Sequence, residues 1–254
     1  MIRPDLRPMS ERKKWHLPHP AVIYLILLVI VILVSWIGSV VEIRTLGRNG
    51  APLLRSVLSE QGIRWFVRNA AACMGSAPVG EAIMILIALG AGRESGFFRA
   101  FANTRTLSPK ERVSMVISLS IFAVLSVLIL YGLFSGGNLL LGVTGTLRGG
   151  PLAEGAVFIL MLAVLLPSLI YGISTDTFHT VRECVDALSS MIKVAASFLL
   201  TMLVAAQLIA TVKYTHLDML SGITPGMMSV ISFLIYWVPL AVIFLFDQKR
   251  EKEI

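Results

Sequence analysis

Apolar residues run almost without interruption over residues 21–41, 113–134, 153–173, 191–212 and 225–246. Each run matches the roughly 20 residues that a helix needs to cross a hydrocarbon core. A sixth run, 70–92, is interrupted by "GSAPVGE" at 75–81. There Ser76 is placed to cap a new helix, Pro78 suits its first turn, and Glu81 falls where the positive helix end favours an anion. The pattern predicts a broken span and, with the other five, an all-α polytopic membrane protein of about six transmembrane helices. Residues 1–254 form a single membrane domain, with 1–20 as a cytoplasmic tail.

Residues 42–69 have a different texture. Leu53, Leu54, Val57, Leu58, Trp65 and Phe66 alternate with Arg44, Arg48, Arg55, Arg64 and Arg68. That alternation suits an amphipathic helix lying in the membrane interface and broken near Gly62, or else a solvated loop.

Composition supports the membrane reading, since 56% of the 254 residues are hydrophobic and only 15% are charged. The net charge of +7 does not point to nucleic acid, because the basic residues are scattered beside apolar runs rather than gathered on one face. They read as topology signals. Lys and Arg are dense in the N-terminal tail (Arg3, Arg7, Arg12, Lys13, Lys14), at Arg93, Arg99, Arg105, Lys110 and Arg112, and at Lys249, Arg250 and Lys252. Residues 135–152 carry only Arg148, and 213–224 only Lys213. Both termini are therefore expected on the cytoplasmic side of a bacterial-type inner membrane, with the arginine-rich 42–69 segment as the exception. The first run is longer than a signal-peptide core and no A-x-A-like site follows, so it is expected to remain as an anchor. Cys73 and Cys184 lie far apart without metal-ligand spacing, which gives neither a disulfide framework nor a zinc site.

The order of residues adds a resemblance. "EQGIRWFVRNAAACMGSAPVGEAIMILIALGAGRESGFFRA" is similar to the early region of the aminobenzoyl-glutamate transporter (AbgT) family, where a Gly- and Glu-bearing "G.G..E.SGL" signature ends an apolar helix. "LLPSLIYGISTDTFHTVRECVDALSSMIKVAASFLLTMLVAAQLIA" resembles that family's later region through "YGI", an acidic-basic connection and "AAQ.IA". The "LSPKER" stretch also fits. Family members are longer. The insert that carries their first re-entrant hairpin would fall between "FANTR" and "LSPKER", and the second hairpin would follow "THLDML"; both are missing here. The resemblance implies a secondary transporter of a small organic anion, aminobenzoyl-glutamate or a related aromatic amide, coupled to a proton or sodium ion. It also implies a homodimer. The missing hairpins imply an alternative: a transport-inactive scaffold pairing with itself or with a separately encoded, hairpin-bearing membrane protein.

Candidate chemistry is sparse. If 191–212 is one helix, its turn of about 100° per residue puts Lys193, Ser197, Val204, Gln207 and Thr211 on one stripe. Lysines near helix ends snorkel to an interface. Gln207, which falls on the family's "AAQ", either hydrogen-bonds a neighbouring helix or lines a polar cavity. Glu81 is either a helix-capping acid or a proton or cation site. Asp176 falls in a helix-ending turn after Pro167 and Gly172. His179 has no second ligand at helical spacing, so no metal is assigned and no cofactor is expected. No G-x-S-x-G, H-E-x-x-H, P-loop or G-x-G-x-x-G motif occurs, which argues against an enzyme.

The charge distribution generates a direct test. Alkaline phosphatase fused after Ile254 is expected to be inactive, and strong activity would mean that one span has been counted wrongly.

Overall fold

A computed structural model describes residues 19–46, 54–134, 140–141, 146 and 149–251. The described chain is helical: α1 (Pro20–Leu46), α2 (Glu60–Gly75), α3 (Val79–Glu94), α4 (Phe97–Ala102), a 3-10 turn (Thr104–Thr106), α5 (Pro109–Phe134), α6 (Pro151–Glu154), α7 (Ala156–Ser174), α8 (Val181–Val194), α9 (Ala196–Thr215), α10 (Leu217–Leu220) and α11 (Pro225–Glu251). Five tracts are long and apolar enough to cross a membrane: Pro20–Glu42, Glu60–Glu94, Pro109–Phe134, Ala156–Ser174 and Ala196–Thr215. The described apolar part of α11, Pro225–Leu240, is shorter. Residues 1–18 and 252–254, at the two termini, lie outside the described ones.

Three expectations need correction. Ser76 does not cap α3. Its N–H bonds Ala72 O and Cys73 O at 3.1 and 3.2 Å and its hydroxyl bonds Cys73 O, so it closes α2, and Pro78 takes the N-cap position of α3 without a side-chain bond. The arginine-rich segment is not broken at Gly62. Ser59 caps α2 by accepting from Gly62 N at 3.0 Å, and Gly62 is buried in the first turn, where a Cβ would stand 2.3 Å from Ser56 O. Residues 47–53 of that segment lie outside the described ones. Finally, 191–212 is not one helix: α8 ends at Val194 and α9 starts at Ala196.

The tract Glu60–Glu94 thus consists of α2 and α3, and residues 181–215 of α8 and α9. The two tracts run antiparallel along their lengths. Trp65 stacks on Tyr214 with ring centroids 4.0 Å apart; Ala82 and Leu86 share a core with Met191, Ala195, Phe198 and Met202; Gly90 meets Ala187. The interruptions at 76–78 and 195 therefore both fall near the middle of their tracts, but in this register Ala195 stands opposite the first turns of α3 rather than opposite 76–78. Around the pair, α7 packs on α3, α1 on α9, α5 on α7 and α11 on α9. α9 is the central helix, with half of its apolar window buried against at most 22% for the other spans.

The arrangement is an internal repeat. α1 to α5 and α7 to α11 each give a long helix, a two-piece helix, a short helix and another long helix. Local chemistry recurs with it. Ser59 and Thr180 cap α2 and α8. Gly96 (φ 77°) and His216 (φ 58°) take the left-handed conformation before α4 and α10. Ser108-Pro109 and Thr224-Pro225 open α5 and α11, with the hydroxyls accepting from Glu111 N and Met227 N. Gly38 and Gly172 receive Leu54 and Phe178, the apolar residues that lead into α2 and α8. Packing also interchanges, since α3 on α7 and α8 answers α9 on α1 and α2. Because α3 and α9 are antiparallel, the repeat is inverted, a plan common among secondary transporters.

Close approach of the two tracts yields a prediction. A Cβ on Gly90 would stand 2.6 Å from Ala187 O, whereas one on Gly80 meets nothing within 4 Å. Gly90→Ala should cost about 1–3 kcal/mol by forcing α3 from α8. Gly80→Ala should be neutral or stabilising by up to about 1 kcal/mol. Thermal unfolding in detergent separates the two variants, and an equal effect would contradict the packing.

Candidate functional site

Regular helical bonding lapses at the two interruptions. After Ser76 the chain makes only Ala77 N to Met74 O (3.2 Å) and Val79 N to Ala77 O (2.8 Å) before α3 takes up its ladder with Ala82 N to Pro78 O. Ala195 keeps a bond to Met191 O (2.9 Å) and accepts from Leu199 N (3.1 Å), so the second interruption is a kink. Neither α3 nor α9 has a side-chain N-cap bond. Two helices thus start near the middle of the paired tracts and run in opposite directions, and the first-turn N–H groups of α3 are the ones its own helix cannot pair. The surroundings are apolar, with Ala77, Val79, Leu199, Tyr236, Trp237 and Leu240 packed on the buried core.

The expected stripe does not survive the kink. Lys193 lies in the last turn of α8, exposed and 3.9 Å from Asp186, whereas Gln207 lies in the core of α9 with 2% of its surface exposed. Ser197 is half-buried and its carbonyl accepts from Thr201. Thr211 is buried and donates to the Gln207 carbonyl at 2.7 Å. Gln207 and Thr211 therefore stay together, and Lys193 is separated from them. Glu81 is exposed in the first turn of α3, where its charge suits the helix end. Asp176 is far from the interruptions. It takes the left-handed conformation (φ 56°) just past the end of α7 and accepts from Lys110 of α5. That bond holds the Asp176 carboxyl below its ordinary range, so the tie between α5 and α7 persists above that lowered value and is lost only as pH falls through it.

Sequence reasoning missed the buried hydroxyls. Ser35, Ser39, Ser118, Ser168, Thr201 and Thr215 are all buried, and each donates to a carbonyl three or four residues earlier. Bonded in this way, a hydroxyl can sit at membrane depth without another helix. Gln207 differs. Its side-chain nitrogen and oxygen are buried and have no hydrogen-bond partner among the described residues. The interhelical bond expected of it is not made within the described chain. No group of three or more His, Cys, Asp or Glu residues placed to hold a metal occurs among the described residues.

Compared with protein-family models, the chain matches the AbgT putative transporter family over residues 8–126 and again over 103–245. No curated protein sequence matches it. Among solved structures it is similar to MtrF of Neisseria gonorrhoeae, described as illuminating a class of antimetabolite efflux pumps. The TM-score is 0.69 at 13% identity, over 91% of this chain and 81% of that one. It is also similar to the YdaH transporter of Alcanivorax borkumensis, described as having an unusual topology, with a TM-score of 0.67 at 14% identity over 80% of this chain and 72% of that one. At these identities the likeness shows the fold alone.

The unpartnered amide gives a signed prediction. A buried polar group without a partner costs about 1–3 kcal/mol, so Gln207→Leu, close in volume, should leave the melting temperature unchanged or raise it. A fall would show that the amide is bonded to a group beyond the described chain contacts.

Proposed function

Because the chain belongs to the AbgT family of membrane transporters, we propose that it moves a small organic anion, aminobenzoyl-glutamate or a related aromatic amide, across the membrane with an ion gradient as the driving force. One observation carries this reading: two interrupted helical tracts from an inverted repeat pack antiparallel on each other with an interruption near the middle of each, a plan by which secondary transporters offer helix ends to an anion at the membrane midplane. The likeness of fold to an efflux pump for antimetabolites favours export as the direction. Lys193 and Glu81, exposed near the interruptions, would set the local charge, and Glu81 would be the acid to carry a coupling proton.

A second reading draws on the two-part family match. The chain is matched in two segments that overlap at residues 103–126, and a two-part match is consistent with a stretch of the family missing near the start of α5, where the sequence resemblance puts the first hairpin. On this reading the chain is a scaffold that works as a homodimer or with a separately encoded hairpin-bearing partner.

The two readings separate in proteoliposomes containing the purified chain alone. Gradient-dependent movement of aminobenzoyl-glutamate, lost in Glu81→Gln while folding is retained, is the outcome expected of the first. No movement by the chain alone, together with movement once a hairpin-bearing partner is reconstituted with it, is the outcome expected of the second. Movement that ignores both proton and sodium gradients would sink the coupling proposal.

A further inference from the structure

Where α3, α4, α5 and α7 end together, two cavities of about 440 and 350 Å³ adjoin, and Glu94 and Thr177 line both. Arg99, Lys110, Asn103, Ser108, Tyr171 and Thr175 contribute to the first; Glu183, Asp186 and Ser190 contribute to the second. The cleft carries both signs: Glu94 and Glu111 line the first cavity beside Arg99 and Lys110, and the charged side chains of the second are acids. Most of these charges are already engaged. Lys110 donates to Asp176, Glu111 accepts from Ser108 N at 2.7 Å, Glu183 accepts from His179 N at 2.7 Å, and Asp186 lies 3.9 Å from Lys193. Arg99 and Glu94 make no ion pair among the described residues, although both face the larger cavity.

The rim is apolar. α4 buries Phe97 against Tyr171 but leaves Phe101 61% exposed and Phe98 exposed, and the first turns of α5 expose Val113 and Val116. The span Pro109–Phe134 begins here, so the cleft lies at the level where hydrocarbon meets headgroups. Cations between helices at this level suit a lipid phosphate, but the acids beside them would repel a lipid with only negative charge. Arg99, which acts on Glu111 across the cavity but is in no ion pair among the described residues, together with Glu94, the hydroxyls lining the cleft and an apolar rim, selects a ligand with phosphate, primary ammonium and acyl chains.

We infer that this cleft is a lipid site for a phosphoethanolamine headgroup, with the phosphate at Arg99, the ammonium at Glu94 and the acyl chains over Phe98, Phe101, Val113 and Val116. The inference does not depend on the transport reading. The hydroxyls of Thr175 and Thr177 and the Asn103 amide offer further polar contacts, and a quaternary ammonium would lose the hydrogen bond to Glu94.

Native mass spectrometry of the purified full chain tests the site. The probes are phosphatidylethanolamine, phosphatidylglycerol and phosphatidylcholine with identical acyl chains, together with soluble glycerophosphoethanolamine. Phosphatidylethanolamine should be retained in preference to the other two lipids. Arg99→Ala and Glu94→Gln should each reduce that retention roughly two- to fivefold, the range of one exposed ion pair. Arg182→Ala, which alters a charge outside the cleft, should not. Glu94→Gln should also shift the preference toward phosphatidylglycerol. Equal retention of the three lipids, or a preference that survives both cleft substitutions in folded protein, overturns the site. Displacement by glycerophosphoethanolamine at concentrations comparable to the lipid would assign the cleft to a soluble zwitterion and overturn the lipid source.

Discussion

Everything else in this bundle depends on how closely two interrupted helical tracts can approach. Hydrocarbon offers no hydrophobic drive for one helix to prefer another over lipid, so association relies on packing and on small residues at the contact. Gly90 lets α3 lie against the backbone of α8, and Ala82 and Ala195 do the same where the tracts are interrupted. Phe198 and Met202, fully buried from α9, fill the space that these small residues leave. α1, α7 and α11 then pack on the outside of this pair, and α5 follows on α7. A tract of ordinary bulky residues would hold the helices apart and leave the interruptions facing lipid.

That geometry also explains which polar groups are tolerated. Bilayer interiors punish any unpaired donor or acceptor, and the buried serines and threonines meet this demand locally through their own helices. They polarise no cavity and need no neighbour. Gln207 cannot do the same, because a long amide with two polar ends does not fold back onto its own helix as a hydroxyl does. Its position in the most buried helix makes it the one side chain whose two polar ends are both buried and unpaired among the described residues. The hydroxyl-rich stripe and the amide look alike in sequence, yet only the amide leaves bonding capacity unused.

Long apolar segments were legible because composition alone sets them, and α1, α5, α7 and α11 start within a few residues of the expected positions. The interruption near Pro78 was legible too, since proline and glycine break a ladder locally. The kink at Ala195 was not. Alanine is the best of helix formers, and nothing in "MIKVAASFLL" announces a stop; the cause is tertiary, the crowding of Ala195 against α3. Treating 191–212 as one cylinder placed Lys193 and Gln207 on a common stripe that the kink separates. The inverted repeat left readable traces, in the Ser59 and Thr180 caps and in the two Ser/Thr-Pro starts. Each is short and separately commonplace, so only the packing order reveals that they recur together. The charged cleft was beyond sequence reasoning, because Glu94, Arg99 and Glu183 converge through the turn at Gly96 and the ending of α7.

The charges beside the two interruptions also set a condition on what surrounds the protein. Glu81 and Lys193 each adjoin a residue of the core shared by both tracts, Ala82 and Ala195, and both are exposed. Charged side chains at the centre of a bilayer cost about 2.5–3.5 kcal/mol each on insertion scales. The Lys193–Asp186 contact, 3.9 Å long and largely exposed, offsets little of that. Lysine can reach toward an interface along its own stem, but Glu81, shorter and fixed in a first turn, cannot. The face bearing Glu81 is therefore stable only when water, a polar partner or protonation relieves it. A transporter with an aqueous path supplies the first, and a hairpin-bearing subunit or a second copy supplies the second. Both readings of function thus predict a polar surface against Glu81, and they differ in whether that surface is solvent or protein.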